Sequence, residues 1–193
     1  KSAELEAKGE WLEAYSVCYA WLKAIDPNNE AYSDYADELI EKATIAASFE
    51  DSPCETSVQR YEGVRKRTFV TAVHILSVHY VNGIDFSEMA LNALRRCRLL
   101  GAVVKVLPWE KIQSQARTTR DAPKANAISA WTVALAAMED EHEGASTDLD
   151  DRGLLDVFEN VLRANLSTAE LPEEILVTQF AEAALGSLDP HTN

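Results

Sequence analysis

Apolar residues recur along this chain at intervals of three and four, the spacing of helices that turn one face toward a core. Trp11, Tyr15, Cys18, Leu22 and Ile25 mark the first such face over residues 10–25, and Asp26-Pro27-Asn28-Asn29 ends it. Tyr32, Ala36, Leu39, Ala43 and Ala46 mark the inner face of a second helix. Residues 50–62 read as a polar connection containing Pro53. Thr68 to Val81 is apolar nearly all round, through Phe69, Val70, Val73, Ile75, Leu76, Val78 and Val81, which predicts a helix in the middle of a core. His74 and His79 lie five apart on it, a spacing that suits core or cap hydrogen bonds better than a shared metal ion. After Asn82-Gly83, Asp85 and Glu88 form a capping-box-like start to a helix through Met89, Leu91 and Leu94. That helix is expected to finish at Arg95-Arg96-Cys97-Arg98, where the arginines suit the negative end of the dipole.

Residues 101–121 are the least regular. Val103, Val104, Val106 and Leu107 before Pro108 suggest a short extended piece, with Trp109 anchoring a loop. Ala125 to Met138 reads as a small-residue helix around Trp131 and Leu135, followed by an acidic linker, Glu139 to Ser146, and a helix over 149–166. The last helix opens at Pro172, whose missing N–H suits the first position, with Glu173 and Glu174 on the positive end of the dipole. Leu176, Phe180, Ala183, Ala184 and Leu188 form its apolar stripe, Gly186 weakens its last turn and Pro190 prevents continuation. The fold class is therefore all-α: a multi-helix bundle or irregular helical-hairpin array of roughly eight helices. Residues 1–59 form an N-terminal hairpin and linker, and 60–193 a helical domain.

Composition narrows the function. No apolar run approaches the roughly eighteen residues that a membrane span needs. The net charge of −14 argues against nucleic acid as the main partner. Its distribution is uneven: residues 1–59 carry 4 basic and 13 acidic groups (net −9), 60–124 carry 12 and 5 (net +7), and 125–193 carry 2 and 14 (net −12). The basic middle is positioned to face the acidic flanks, within the chain or across a homodimer. Cys18, Cys54 and Cys97 give neither a metal spacing nor a disulfide framework and read as free thiols. Without a Gly-rich phosphate loop, a Gly-x-Ser-x-Gly elbow or a Ser-x-x-Lys motif, no cofactor and no catalytic residue is assigned. One pattern approaches a metal site. Asp148, Asp150, Gly153, Asp156 and Glu159 fall at positions 1, 3, 6, 9 and 12 of a calcium loop. Arg152 at position 5 puts a cation where an oxygen ligand belongs, so an acidic helix start is the stronger reading.

Two resemblances carry further. Gly9-Glu10-Trp11, Glu13-Ala14-Tyr15 and Asp26-Pro27-Asn28-Asn29 resemble the second helix and end of a tetratricopeptide repeat. The span is one residue too long, the next helix lacks the repeat's central Gly, and a solenoid needs at least three repeats, so the segment reads as a single hairpin. The second involves residues 158–193. There a helix with Phe158 leads through a linker to a second helix that ends in Leu188-Asp189-Pro190-His191-Thr192. This resembles the helical segment that precedes the PDZ domain in carboxyl-terminal processing serine peptidases. Tyr80-Val81, Asp85-Phe86 and Ala93-Leu94-Arg95 are similar to the same family's spacing, so two copies of one helix pair are expected, at about 69–100 and 149–188.

The resemblance implies a non-catalytic arm of a larger endopeptidase that cuts near protein C-termini with a Ser nucleophile and a Lys base, neither of them within these residues. It implies contacts with downstream PDZ and catalytic domains, with protein or peptide substrates or with adaptors, and a cell-envelope or periplasmic setting. The alternative is a tetratricopeptide-like adaptor whose groove is lined by Trp11, Tyr15, Tyr32 and Tyr35.

Overall fold

A computed structural model describes residues 1–80, 83–116, 121–144 and 148–188, and every regular element among them is a helix. In chain order these are α1 (Ser2–Ala7), α2 (Trp11–Ala14), a π-helical turn (Tyr15–Tyr19), α3 (Ala20–Ile25), α4 (Glu30–Ala47) and α5 (Ser57–Tyr61). They are followed by α6 (Lys66–His79), α7 (Phe86–Val104), α8 (Trp109–Ala116), α9 (Ala125–Glu143), α10 (Asp151–Ser167) and α11 (Glu173–Gly186). The all-α class expected from the hydropathy pattern is the observed one.

Helix α7 is the axis of the fold. It packs against α4, α9, α10 and α11, and it buries residues around all of its circumference except the stripe of Leu91, Arg95, Arg98 and Ala102, among them Met89, Ala90, Ala93, Leu94, Cys97, Leu100 and Val103. Small residues make this many neighbours possible, because helix axes approach more closely where the contact side chains are short. Gly101 is the extreme case: a Cβ there would lie 2.3 Å from Thr132 Cγ2 on α9. The helix therefore continues through Gly101 to Val104, and Val103 and Val104 are helical, not extended. Pro108 then starts α8 by accepting from the Lys111 N–H at 3.1 Å, and Trp109 is helical.

The central position expected for Thr68 to Val81 belongs to α7 instead. Helix α6 lies at the side and buries only Phe69 and Val73, while Ile75 and Val78 are exposed, as are His74 and His79. Its apolar circumference exceeds the core surface that its neighbours offer.

Helices α10 and α11 pack on α6 and α7 around three rings. Phe69, Phe158 and Phe180 meet pairwise at centroid distances of 4.7, 5.2 and 4.9 Å. These edge-on and tilted contacts are the arrangements that the ring quadrupole favours. The link between α10 and α11 is pinned by Asn165, which is buried. Its amide donates to the Leu171 carbonyl and accepts from the Leu171 N–H, both at 2.9 Å. Glu170, at φ 50°, makes the left-handed step that lets the chain leave α10.

The three charge blocks meet within the chain. Arg60 pairs with Glu182, Arg65 with Glu174, Lys66 with Glu159, Arg95 and Arg98 with Glu139, Arg96 with Glu41, and Lys111 with Glu50. Each pair joins the basic middle to an acidic flank. Those at the surface contribute little individually, but together they favour one arrangement of flanks around the middle.

At the N-terminus, α2, the π turn and α3 form one rod against α4. Trp11 and Ala14 are buried, and Tyr19 lies 4.7 Å from Tyr35, centroid to centroid. The Tyr35 hydroxyl donates to Glu6 at 2.6 Å. Ile25, expected on the inner face, is 69 % exposed. The π turn inserts a residue and shifts the register downstream of it.

Replacing Asn165 by Leu removes both bonds and strands the buried Leu171 backbone groups. The expected loss is about 3 kcal/mol of unfolding free energy, read from urea denaturation followed by circular dichroism.

Candidate functional site

The arginine run Arg95-Arg96-Cys97-Arg98 lies in the middle of α7, not at its end, because the helix continues for two further turns. Arg96 is 6 % exposed. A guanidinium so placed must be paired and hydrogen-bonded or the fold loses several kcal/mol. Its Nε donates to Gln179 Oε1 at 2.8 Å, one terminal nitrogen meets Glu41, and the other reaches Glu182 at 3.3 Å. Gln179 is fully buried, and its amide nitrogen donates to Ser48 Oγ at 3.0 Å and to the Tyr61 hydroxyl at 3.2 Å. Ser48 Oγ and the Tyr61 hydroxyl share a hydrogen bond at 2.8 Å. Burial pushes the Tyr61 phenol above its ordinary pKa. A continuous polar chain thus runs from two partly exposed carboxylates through Arg96 and Gln179 into the interior. It ties α4, α5, α7 and α11 together.

Above this chain lies a cleft of about 870 Å³. Arg95 and Arg98 grip Glu139 on α9 at 3.4 and 2.9 Å, and Asp34, Asp37, Glu38 and Glu88 complete the rim. The expected acidic linker from Glu139 is helical as far as Glu143, since two arginines neutralise its first carboxylate. Because each arginine is already engaged by carboxylate, the cleft is a clamp between helices with surplus negative charge, not a nucleophile and base aimed at a common point.

A second concavity, about 540 Å³, lies between the N-terminal rod and α4. Leu12 and Ser16 form one wall, and Ala43, Ala46 and Ala47 form the floor. Along the rod beyond it, Val17, Trp21 and Ile25 stand four apart and are exposed, Trp21 at 69 %.

The structure disperses the calcium-loop residues. Asp150 caps α10 by accepting from the Gly153 N–H at 2.8 Å, Asp148 and Asp156 are exposed, and Glu159 pairs with Lys66. Among the described residues no group of three or more His, Cys, Asp or Glu side chains is placed to hold a metal ion. At the C-terminal motif, Leu188 packs against the core and its N–H donates to Leu185, while Asp189, Pro190, His191 and Thr192 lie outside the described residues. The four rings of the adaptor alternative are not equivalent: Trp11 is in the core, and Tyr15, Tyr32 and Tyr35 are half-buried. Cys97 is buried, Cys18 half-buried and Cys54 exposed.

Ser48, Tyr61, Glu139 and Gln179 were not legible as a group in the sequence. The available signal was a glutamine inside the otherwise apolar turn around Phe180, together with three arginines flanked by leucines. No helix among the described residues is long and apolar enough to cross a membrane. No known protein family, curated protein or solved structure matches the chain.

Replacing Arg96 by Met leaves Gln179 and two carboxylates without their partner. The expected loss is about 3 kcal/mol, the low end of the range for broken buried pairs, because both carboxylates keep some water. Urea midpoints at neutral pH measure it. Burial also pushes the Cys97 thiol up to about 12. The folded protein therefore holds this proton more tightly than the unfolded chain does. The resulting stabilisation is full below the ordinary thiol pKa near ~8.5 and is lost as pH rises toward 12. Cys97→Val should flatten part of the fall in urea midpoint between pH 8.5 and 10.5. In the native protein Ellman's reagent should label Cys54 and spare Cys97 until unfolding.

Proposed function

We propose that this chain is a non-catalytic helical scaffold that works by protein contact, as the N-terminal arm of a serine endopeptidase acting near protein C-termini. The exposed line of Val17, Trp21 and Ile25 carries the contact reading. Apolar residues aligned on one helix face outside the core, with a tryptophan among them, are what a protein-binding surface requires. Ile75 and Val78 on α6 add a second exposed apolar face. The paired, inward-facing chemistry of the arginine cleft supports a role in holding helices in place.

The peptidase reading rests on residues 158–193 and their resemblance to the segment before the PDZ domain. Support comes from the α10–α11 pair, with Phe158 and Phe180 in contact at 4.9 Å and an irregular link held by Asn165. The partners are then the downstream PDZ and catalytic domains, substrates or adaptors, or a second copy of the chain. The tetratricopeptide-like adaptor reading rests on a groove of Trp11, Tyr15, Tyr32 and Tyr35; of these only Trp11 lines the groove beside α4, so that reading has less support.

The isolated 193-residue chain is expected to show no turnover of peptides bearing a free C-terminal carboxylate and no labelling by a fluorophosphonate. The reading frame beyond Asn193 is expected to encode a PDZ-like segment and then a Ser/Lys core. A fluorophosphonate-sensitive peptidase rate from the isolated chain would overturn the scaffold reading, and a continuation without those segments would overturn its peptidase setting.

A further inference from the structure

The groove beside α4 has a chemistry that specifies its occupant. Its floor is three alanines of α4, Ala43 and Ala46 half-buried against the core and Ala47 exposed, with Leu12 and Ser16 opposite. Short side chains let a third helix come close to both walls, since interaxial distance depends on the side chains at the contact. The charged residues lining it are all acidic, Glu10, Glu13 and Glu50, and among the described residues the ion pair recorded for them is Glu50 with Lys111 at 3.0 Å. The groove also lies within the N-terminal block of net −9. One wall is formed at Ser16 by the π turn, an irregularity that recurs at functional sites.

An apolar floor between acidic rims favours an amphipathic helix that inserts aliphatic side chains and lays Lys or Arg along both edges. We propose that the groove formed by α2, the π turn and α4 is the docking site for a basic amphipathic helix of a partner protein. A second copy of this chain is a poorer fit. The exposed apolar line of its own rod has one cation beside it, Lys23, which pairs with Asp37, and on α6 two of the three basic residues at the start, Arg65 and Lys66, pair with Glu174 and Glu159 of the same chain. The proposal deepens the protein-contact reading and rests on it, but not on the peptidase setting.

The test uses the whole chain and a labelled model helix of about fourteen residues, with Leu at i, i+3, i+4 and i+7 positions and Lys elsewhere. Its counterpart carries Glu for every Lys. Fluorescence anisotropy measures affinity, and amide shift perturbation locates the contact. The Lys peptide should bind with shifts centred on Leu12, Ser16, Ala43 and Ala47, and the Glu peptide at least about tenfold more weakly. Ala47→Arg, at an exposed helical position, should leave the thermal melt unchanged and cost the Lys peptide at least about tenfold. Glu10→Gln with Glu13→Gln should weaken binding and flatten its salt dependence. The pair Asp148→Asn and Asp156→Asn, just before and within α10, should change nothing.

Equal binding of the Lys peptide to the Ala47→Arg chain, or shifts spread over other acidic surfaces, would overturn the proposal in favour of general attraction to an acidic protein. A dimer in sedimentation velocity that Ala47→Arg dissolves would assign the groove to a second copy and also overturn it. Neither result touches the broader scaffold reading, whose failure is a serine-dependent peptidase rate.

Discussion

A guanidinium in the centre of a helical bundle sets the terms for everything packed around it. Arg96 on α7 cannot be left unpaired at 6 % exposure, and satisfying it recruits Glu41 from α4, Glu182 and Gln179 from α11, and through Gln179 the hydroxyls of Ser48 and Tyr61. Apolar packing alone tolerates helices sliding past one another by a turn. A shared set of directional bonds does not, because a slip would strand several buried groups at once. The cluster thereby fixes the register of α4, α7 and α11 against one another.

The same logic explains the uneven charge. The basic middle contains the central helix, and its cations meet carboxylates from both flanks. What looks in sequence like a basic patch between two acidic tails is, in three dimensions, a hub and its surroundings. The surplus left after pairing is negative and lies outward, at the rim of the arginine cleft and around the α4 groove.

The helical class, the N-cap of α7 and the limits of α10 and α11 could be read from periodicity and capping residues, which are local. Centrality could not. Residues 68–81 were apolar enough to be central, yet α7 took that place because Ala90, Ala93 and Gly101 let neighbours approach from several sides, a property of pairs of helices. Gly101 and Pro108 looked like breaks because their usual role is punctuation. Here one permits a close crossing and the other opens a helix. The buried network was illegible because its members are spread from Glu41 to Glu182 and become meaningful only once α4, α5, α7 and α11 are assembled.

The π turn at Tyr15–Tyr19 has a consequence for how the N-terminal rod evolves. An uninterrupted helix fixes the angle between its two ends by length alone, so its inner and outer faces are one continuous pattern. Here a single inserted residue acts as a phase shifter. Upstream, Trp11 and Ala14 answer to the core; Val17 within the turn and Trp21 and Ile25 downstream of it face solvent and are free of that requirement. Substitutions can accumulate on the outward line without disturbing the packed one, which leaves that line of the rod free to vary while the fold stays the same.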